Sequence, residues 1–360
     1  MLDLRALNRA LLARQLLLRR ATLPAAEAIE RLGGVQAQAP WPPYYWLWTR
    51  LDGFHQDELV KLITSRQLVR IALMRGTIHL VTADDCLAWR PLFQPLLDRA
   101  LKSSFGRFLE GADLAKVTAE GRALVEAEPR TMAALGTALA EGHPGDPAAL
   151  AQVVRATVPL VQLPPRGIWG VGGQTVVTSA ESWLGRPLDP APDLSALVRR
   201  CLAAYGPVTV KDIQTWSGLT RLKPVVEAMR PELAVFRDEQ DRELFDLPDA
   251  PRPDPGTPAP VRFLPEFENS LISYADRTRI MAAEHRSRLL TANGIFPATI
   301  LVDGFVRGAW KIDQAAKGIA TLRITEWEPV SAADRELLAE EGARLLAFAH
   351  PDAAHDIIFA

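Results

Sequence analysis

Two glutamines separated by one small residue, Gln36 and Gln38, are the residues whose types and spacing suggest chemistry. They follow a glycine pair at 33–34, which is typical of a helix end, and precede the prolines of segment 40–43, which prevent a helix. In the extended chain between these breakers, residues two apart point the same way. Both carboxamides are therefore predicted to face one spot, where they can donate and accept hydrogen bonds. The competing interpretation, which the spacing alone favours, is a polar loop with two solvated glutamines.

The length and composition of the chain limit its class. Its 360 residues suggest two to four domains, and 48% hydrophobic and 23% charged residues are ordinary for a soluble globular protein. No run of about 18 apolar residues occurs, so no membrane span is predicted. Cys86 and Cys201 lack metal-ligand spacing and are predicted to be reduced thiols of a cytosolic protein. No residue cluster predicts a metal site, and no cofactor is expected.

The charge of the chain is polarised, although its net value is only −2. Residues 1–109 hold 15 Lys+Arg against 9 Asp+Glu, which gives +6, and the remainder holds 26 against 34, which gives −8. The small net charge argues against a protein that binds nucleic acid over its whole surface. The polarisation instead predicts an anionic partner that is held by one face.

A strong amphipathic helix is predicted over residues 3–20. Its apolar stripe, at about 100° per residue, consists of Leu4, Leu7, Leu11 and Leu18. The arginines on the opposite side are Arg5, Arg9, Arg19 and Arg20. Two interpretations stay open for these arginines: contact with phosphates, for which Arg5 and Arg9 are the candidates, or a solvated cationic face.

A set of helices followed by a two-stranded ribbon, the pattern of a winged helix, is predicted three times. The first repeat has helices at 24–32, 43–51 and 56–65, strands at 68–74 and 77–82, and a long following helix at 83–108. The second has helices at 131–141 and 147–157 and strands at 160–163 and 175–178. The third has helices at 194–205, 210–217 and 222–229 and strands at 234–237 and 243–247. Three such repeats in series favour nucleic-acid binding, whereas one alone is a weak signal.

The pattern changes after residues 248–260, which hold six prolines and predict a linker or a draped loop. Strands are then predicted at 261–264, 299–303, 305–312 and 320–326, and a closing helix at 332–348. Asp303-Gly304 is the signal of a two-residue hairpin turn of type I′. The last part of the chain is therefore predicted to be a small β-barrel or sheet with one helix.

Three segments of the chain resemble the AlkZ/YcaQ-like bacterial DNA glycosylases, a family of tandem winged-helix proteins. The segments are LGGVQAQ at 32–38, LMRGTIHLV at 73–81 and LVDGFVRGAWK at 301–311. They occur in the family's order and lie towards both ends, so the resemblance covers essentially the full length. Each segment alone is unspecific, but the three together are fairly specific.

The resemblance implies an α+β fold, mainly α, with three tandem winged-helix units in a C-shape around duplex DNA. A C-terminal β-barrel-like domain completes the ring. The corresponding expected domains are winged helix 1 at 1–109, winged helix 2 at 110–190, winged helix 3 at 191–248, and the proline-rich linker with the β domain at 249–360.

The resemblance also implies an activity, the monofunctional removal of N7-alkylated purines from DNA. The family's motif is glutamine, a small or aliphatic residue, then glutamine or aspartate, and its two ends carry over onto Gln36 and Gln38 as catalytic residues. Glutamine in the second place is similar to the antibiotic-resistance branch. The expected substrates are therefore bulky antibiotic adducts or interstrand crosslinks, in a self-resistance form of DNA repair.

A pair of amides suits this substrate because N7-alkylguanine is cationic in the nucleotide and leaves as a neutral base. Most glycoside hydrolysis needs a carboxylic acid to protonate the leaving group, and here none is needed. Gln38 is expected to orient the attacking water, and Gln36 is expected to stabilise the sugar cation. Undamaged guanine and uracil should not be released.

Further residues are expected near this site. Thr77 and His79, two apart on a predicted strand, are expected to bind phosphate or the lesion together with Arg75. A hydrogen-bonded structural histidine is the alternative for His79. Trp41 and Tyr44 are candidates for stacking on bases or on a planar drug, although aromatic packing is common in such clusters.

Arg307, near the tip of the predicted hairpin at 300–310, is expected to reach a groove of the DNA, and an ordinary barrel hairpin is the alternative. The expected partner is double-stranded DNA that carries alkylated purines, with no membrane partner. A monomer in the bacterial cytoplasm, associated with the nucleoid, is expected.

Two functions of other classes stay open. The first is a non-catalytic winged-helix regulator that binds an operator or an antibiotic. It is disfavoured because the most basic segment is the N-terminal helix and not a predicted recognition helix. The second is a protein that sequesters a drug without DNA.

Overall fold

The computed structural model describes residues 1–289, 296–314 and 318–360. The chain has an α+β fold, and roughly half of it is helical. The first part contains α1 Leu4–Arg14, α2 Ala25–Arg31, β1 Val35–Gln36, α3 Pro42–Arg50, α4 Gln56–Thr64, β2 Leu68–Ala72, β3 Ile78–Thr82, α5 Ala83–Trp89 and α6 Gln94–Phe105. The second contains α7 Leu114–Ala127, β4 Arg130–Thr131, α8 Met132–Ala140, α9 Pro147–Thr157, β5 Leu160–Gln162, β6 Val176–Ser179 and α10 Ala180–Leu184.

The remaining elements follow in the same chain order. The third part contains α11 Leu194–Tyr205, α12 Val210–Ser217, α13 Lys223–Met229, β7 Ala234–Arg237 and β8 Glu243–Asp246. The last part contains β9 Arg262–Leu264, α14 Asn269–Ile272, β10 Thr299–Val302, β11 Phe305–Gln314, β12 Ile319–Glu326, α15 Ala332–Ala349 and β13 Ala354–Phe359. Within the described ranges, no helix is both long enough and apolar enough to cross a bilayer.

The helix predicted over residues 83–108 is broken in the structure. It consists of α5, a 3₁₀ turn at Arg90–Phe93 and α6. Pro91 lies in the 3₁₀ turn and Pro95 in the first turn of α6. Proline has no backbone N–H and its ring clashes with the preceding turn, so a continuous helix through these two positions is disfavoured.

The strands of the first two predicted repeats lie in one sheet, in the order β1-β3-β2-β5-β6-β4. The two hairpins join through β2 and β5, which are antiparallel with Arg70 opposite Gln162 and Ile71 opposite Val161. The sequence predicts two separate ribbons, because hydrophobic alternation identifies a strand but not a partner that is some ninety residues away. The joint sheet places the tip after β5 beside the segment that carries Gln36.

The C-terminal strands form an open sheet in the order β13-β12-β11-β10-β9, so in the described part of the chain the predicted barrel is wrong. The parallel pairing of β12 with β13 gives the sheet an edge strand that the sequence did not predict. The hairpin turn is as predicted: Asp303 has φ 48° and Gly304 has φ 83°, the two positive values that a type I′ turn requires.

Helix α1 ends at Arg14, short of the predicted residue 20, and Leu16 then adopts a left-handed conformation with φ 58°. The helix packs on the hairpin turn at 303–304, where the Asn8 side-chain amide donates to the carbonyl of Gly304 at 2.8 Å. A Cβ atom on Gly304 would lie 2.5 Å from Leu12, so only glycine permits this approach. The first helix is therefore fixed to the C-terminal sheet.

The arginines of α1 are used in this docking, a role that the sequence did not predict. Arg9 is fully buried and pairs with Asp303, and Arg5 binds the other oxygen of the same carboxylate at 2.7 Å. Burial alone would raise the pKa of Asp303. The hydrogen bond from Arg5 and the charges of Arg9 and Arg5 outweigh that effect, so the pKa lies below its ordinary value. The buried Arg9 guanidinium is not accessible to a phosphate, whereas the Arg5 side chain is 42% exposed and its phosphate contact stays a prediction.

Four of the five arginines in the first twenty residues pair with acidic residues far along the chain. The pairs are Arg5–Asp303, Arg9–Asp303, Arg14–Asp246 and Arg20–Glu341. The polarised charge of the sequence, interpreted above as a sign of an anionic partner, is in this region neutralised within the molecule. Opposite charges join the start of the chain to its last third.

Candidate active site

The segment that carries the two glutamines is held as a short edge strand. Gly33 and Gly34 have φ of 74° and 84°, the left-handed conformation predicted for the end of α2. A Cβ on Gly34 would lie 2.6 Å from the Val81 side chain, so the close approach to β3 also requires glycine. Strand β1 then pairs antiparallel with β3, with Gln36 opposite His79.

The two glutamines differ in exposure. Gln36 is 5% exposed, whereas Gln38 is exposed to solvent. The Oε1 atom of Gln38 accepts a hydrogen bond from the Ile78 backbone N–H at 3.1 Å, and the Oε1 atom of Gln36 accepts from Arg75 at 2.8 Å. Because both partners are donors, these bonds fix the orientation of each amide. The competing interpretation of two solvated glutamines is therefore wrong for Gln36.

Arg75 lies at the centre of the network behind the loop. Its Nη2 atom donates to Gln36 and to Asn269, and its Nη1 atom donates to the carbonyl of Trp216. The residue adopts φ 56°, and a Cβ on Gly218 would lie 2.9 Å from the Arg75 Cα atom. Burial lowers the pKa of Arg75 to about 10. Its contact with phosphate stays a prediction, and in this structure Nη1 and Nη2 of the guanidinium are already bound within the protein.

His79 is fully buried and has the structural role that was the alternative to ligand binding. Its Nδ1 atom lies 3.0 Å from the carbonyl of Thr77, and its Nε2 atom lies 3.3 Å from Nη2 of Arg75. The neutral ring therefore donates from Nδ1 and accepts at Nε2. Burial, and then the charge of Arg75, lower the pKa of His79 to about 3. A buried neutral imidazole does not bind phosphate, so that prediction is wrong.

The pKa of His79 predicts a pH dependence of stability. The folded state keeps the ring neutral, while the unfolded chain binds a proton below its ordinary pKa of 6.5. Stability is therefore complete above pH 6.5 and falls as the pH decreases, by about 1 kcal/mol between pH 7 and 5.5 for one such group. Urea unfolding at these two pH values should show a smaller decrease for His79→Gln than for the native chain. Exposed His55, replaced in the same way, serves as the control, and equal slopes for all three proteins would contradict this role.

The aromatic candidates near the loop separate into one buried and one accessible ring. Tyr44 is fully buried. Its hydroxyl donates to the carbonyl of Gly167 at 2.7 Å and accepts from the Trp169 backbone N–H at 3.1 Å. The prediction that Tyr44 stacks on a base is therefore wrong. Trp41 is partly exposed, and its ring packs edge-on against Trp169 with 5.8 Å between centroids.

Thr77 and Arg307 are partly exposed to solvent. Thr77 is partly exposed, and its hydroxyl donates to the carbonyl of Met74 at 3.1 Å. It lies just before β3, whereas His79 lies on that strand. Arg307 lies on β11 and pairs with Glu328, and its side chain is 37% exposed. The structure brings Thr77, but not Arg307, to the segment that carries the glutamines.

Two arginines beside the loop were not recognised from the sequence. Arg166 and Arg277 form no ion pair within the described part of the chain, in contrast to the arginines of α1. Burial lowers the pKa of Arg70 to about 10, and the charge of Arg166 is the second cause. The charge of Arg277 likewise contributes to the lowered pKa of Arg75. Arg70 donates to the carbonyl of Ala37 and Arg75 donates to Gln36, so each of these charges acts on an arginine that binds the glutamine segment. In the sequence, Arg166 is marked only by its place in the Pro-Pro-Arg-Gly segment at 164–167, between two predicted strands.

The arrangement can orient a water but cannot transfer a proton by itself. One lone pair of the Gln38 carbonyl oxygen is used by Ile78, and the other is free to accept from a water. The charged or titratable side chains behind Gln36 are Arg75 and neutral His79, and neither is an acid at neutral pH. Among the described residues, no group of three or more His, Cys, Asp or Glu side chains is placed to bind a metal ion.

Comparisons with known proteins agree with this architecture. The family model described as DNA glycosylase AlkZ-like matches residues 29–348. The solved structure of Streptomyces sahachiroi DNA glycosylase AlkZ superposes with a TM-score of 0.80 over 100% of both chains, at 21% identity, which is a likeness of fold. An interstrand DNA cross-link repair glycosylase of Streptomyces sahachiroi is 29% identical over 158 residues, which span 41% of this chain and 42% of that relative. The family match covers most of the sequence, and the chain therefore belongs to the AlkZ-like DNA glycosylase family.

Proposed function

We propose that the protein is a monofunctional DNA glycosylase that hydrolyses the N-glycosidic bond of cationic N7-alkylguanine in duplex DNA. Bulky adducts and interstrand crosslinks are the proposed substrates, as the name of the Streptomyces relative suggests. The observation that carries the proposal is the exposed Gln38 amide, which the backbone of β3 holds in one orientation. Family membership supports the reaction class, and the chemistry of the site supports the kind of leaving group.

The absence of a proton donor defines the substrate. In the described residues, no acidic or basic side chain hydrogen-bonds to Gln38, and the cation that contacts Gln36 is a guanidinium. A leaving base that needs protonation would find no acid bonded to either glutamine, whereas an alkylated guanine that already carries a positive charge needs none. The substrate range should therefore exclude neutral purines.

The two glutamines receive different roles. Gln38 accepts a hydrogen bond from the attacking water and aligns it, a contribution through orientation. Gln36 is a positioning residue, because its carbonyl oxygen is directed to the Arg75 cation and a second positive charge would be repelled there. This replaces the expectation that the Gln36 carbonyl faces the sugar cation.

Duplex DNA is the proposed partner, held by Arg166 and Arg277, which are partly exposed and form no ion pair among the described residues. Thr77 and Trp41 are also partly exposed near the glutamines. Arg307 is a further candidate for the DNA backbone. We propose that the protein acts as a monomer on DNA in the cytoplasm, because one chain supplies every residue of the site.

The experiment that tests the function measures base release from duplex oligonucleotides. A duplex with a single N7-methylguanine should lose that base and leave a site that alkali cleaves. Matched duplexes with guanine or uracil at that position should stay intact. Tight binding of the alkylated duplex without release would contradict the glycosylase and favour the non-catalytic alternative.

A further inference from the structure

A cavity of about 640 Å³ lies beside the glutamine loop, and aromatic rings form its walls. Trp41, Tyr45, Trp169 and Trp310 contribute four rings, and Glu266 and Lys311 lie at its polar side. A cavity of this volume is within the range of small-molecule sites, which are typically apolar with few polar groups. Nothing in the proposed hydrolysis of the glycosidic bond uses it.

The rings form a box with walls nearly perpendicular to one another. Trp169 meets Trp41 and Tyr45 at centroid distances of 5.8 Å each and at interplanar angles of 76° and 70°. Tyr45 meets Trp310 at 5.6 Å and 74°. The indole N–H of Trp310 donates to the carbonyl of Leu264 at 2.8 Å, which fixes that wall. The wall of the cavity is therefore aromatic on several sides, as a site for a flat aromatic guest requires.

The cavity has a carboxylate without a cationic partner at its polar side. Glu266 is exposed to solvent there and forms no ion pair and no hydrogen bond within the part of the chain that the structure describes. Burial, together with the nearby charge of Glu266, raises the pKa of the Tyr45 phenol to about 12. The ammonium of Lys311 is 2.8 Å from Asp313 and so does not neutralise Glu266. Ring faces and a carboxylate both attract a cation.

The cavity is close to the proposed site of hydrolysis. Trp41 follows Gln38 by three residues, so their Cα atoms are at most about 11 Å apart. A group bound against Trp41 is thus within reach of a nucleotide at Gln38.

The geometry points to a binding site for a flat aromatic cation in this cavity. The cation arrives either as a free compound or as the aromatic part of an adduct on DNA, and the second source rests on the proposed function. Stacking on Trp41 and attraction by Glu266 would hold it while its attached nucleotide reaches Gln38.

Calorimetric titration of the full chain with 9-aminoacridine, without DNA, tests the site. Trp41→Ala and Glu266→Gln should each weaken binding by about tenfold, the size of one stacking or cation–π contact. Trp183→Ala, a partly exposed tryptophan outside the cavity, is the matched control and should bind as the native chain does. Anthracene-9-carboxylate, of similar shape but opposite charge, should bind at least tenfold more weakly than 9-aminoacridine.

Equal affinities of the native, Trp41→Ala and Glu266→Gln proteins would overturn the inference, as would equal affinity for the two probes. All variants are checked by thermal unfolding. Dye binding is measured without catalysis. If the chain binds the dye but releases no base, the cavity inference stands and the proposed glycosylase activity is wrong.

A second arm identifies the source of the cation. Release of an N7-guanine adduct that carries an acridinium group is compared with release of N7-methylguanine, for the native chain and Glu266→Gln. A tenfold loss for the acridinium adduct alone assigns the site to the lesion. If Glu266→Gln changes the release of both substrates equally, or of neither, while the native chain binds the dye, the site is assigned to a free compound.

Discussion

Replacing Gln38 with alanine is expected to slow the release of N7-methylguanine by about 10²–10³-fold, the usual loss when one preorganised group at a reacting centre is removed. The attacking water would lose the acceptor that aligns it. Gln38 is exposed, and within the described ranges its side chain makes one hydrogen bond, the 3.1 Å contact with the Ile78 N–H. The stability cost should therefore be limited to about 1 kcal/mol. Single-turnover rates on a defined duplex give the measurement.

Controls separate this role from a general effect on folding. Gln67→Ala, an exposed glutamine just before β2, should leave the rate unchanged. Gln38→Glu keeps an oxygen acceptor at the same distance and should retain much more activity than Gln38→Ala. If Gln38→Ala and Gln67→Ala release base at the native rate, Gln38 does not position the water.

Replacing Arg50 with methionine is expected to lower the free energy of unfolding by about 3–5 kcal/mol, because it leaves Glu268 as an unpaired buried charge. Both side chains are 0% exposed, and Nη2 of Arg50 lies 2.9 Å from Oε1 of Glu268. The Arg50 guanidinium also stacks over the Trp46 ring at 4.1 Å. Urea unfolding of the native and variant chains gives the comparison.

A double substitution tests the cause of that loss. Arg50→Met/Glu268→Gln contains no isolated buried charge, so it should be clearly more stable than Arg50→Met alone. Arg19→Met removes an exposed arginine from the same region and should change stability by less than about 0.5 kcal/mol. If Arg50→Met costs no more than Arg19→Met, the buried pair does not contribute to the fold as argued here.

Local features of this fold were predictable, since local chemistry determines them. The left-handed pair Gly33-Gly34, the extended segment at Gln36 and the type I′ turn at Asp303-Gly304 all follow from the conformations that these residues permit. Most helices also lie where the apolar spacing predicts them, as α9 and α11 show.

Features that depend on distant partners were not predictable from pattern. The spacing places Arg9 on a polar helix face, and only Asp303, 294 residues later, explains its burial. Alternation predicts that Gln36 and Gln38 share a direction, but it does not show that Arg75 binds one of them. The sheet that joins β2 to β5 likewise requires knowledge of tertiary pairing. The candidate site was therefore located by sequence, while its division into an exposed and a buried amide was not.

The contact of α1 with the turn at Asp303-Gly304 has a consequence for biosynthesis. The ribosome makes Asn8 and Arg9 among the first residues, but their partners emerge only after some three hundred more have been added. Until then, the nascent chain holds a helix whose buried arginine has no carboxylate to meet. We therefore expect native packing of the amino terminus to be a late event in folding, and fragments truncated before residue 299 to leave that helix open to proteases.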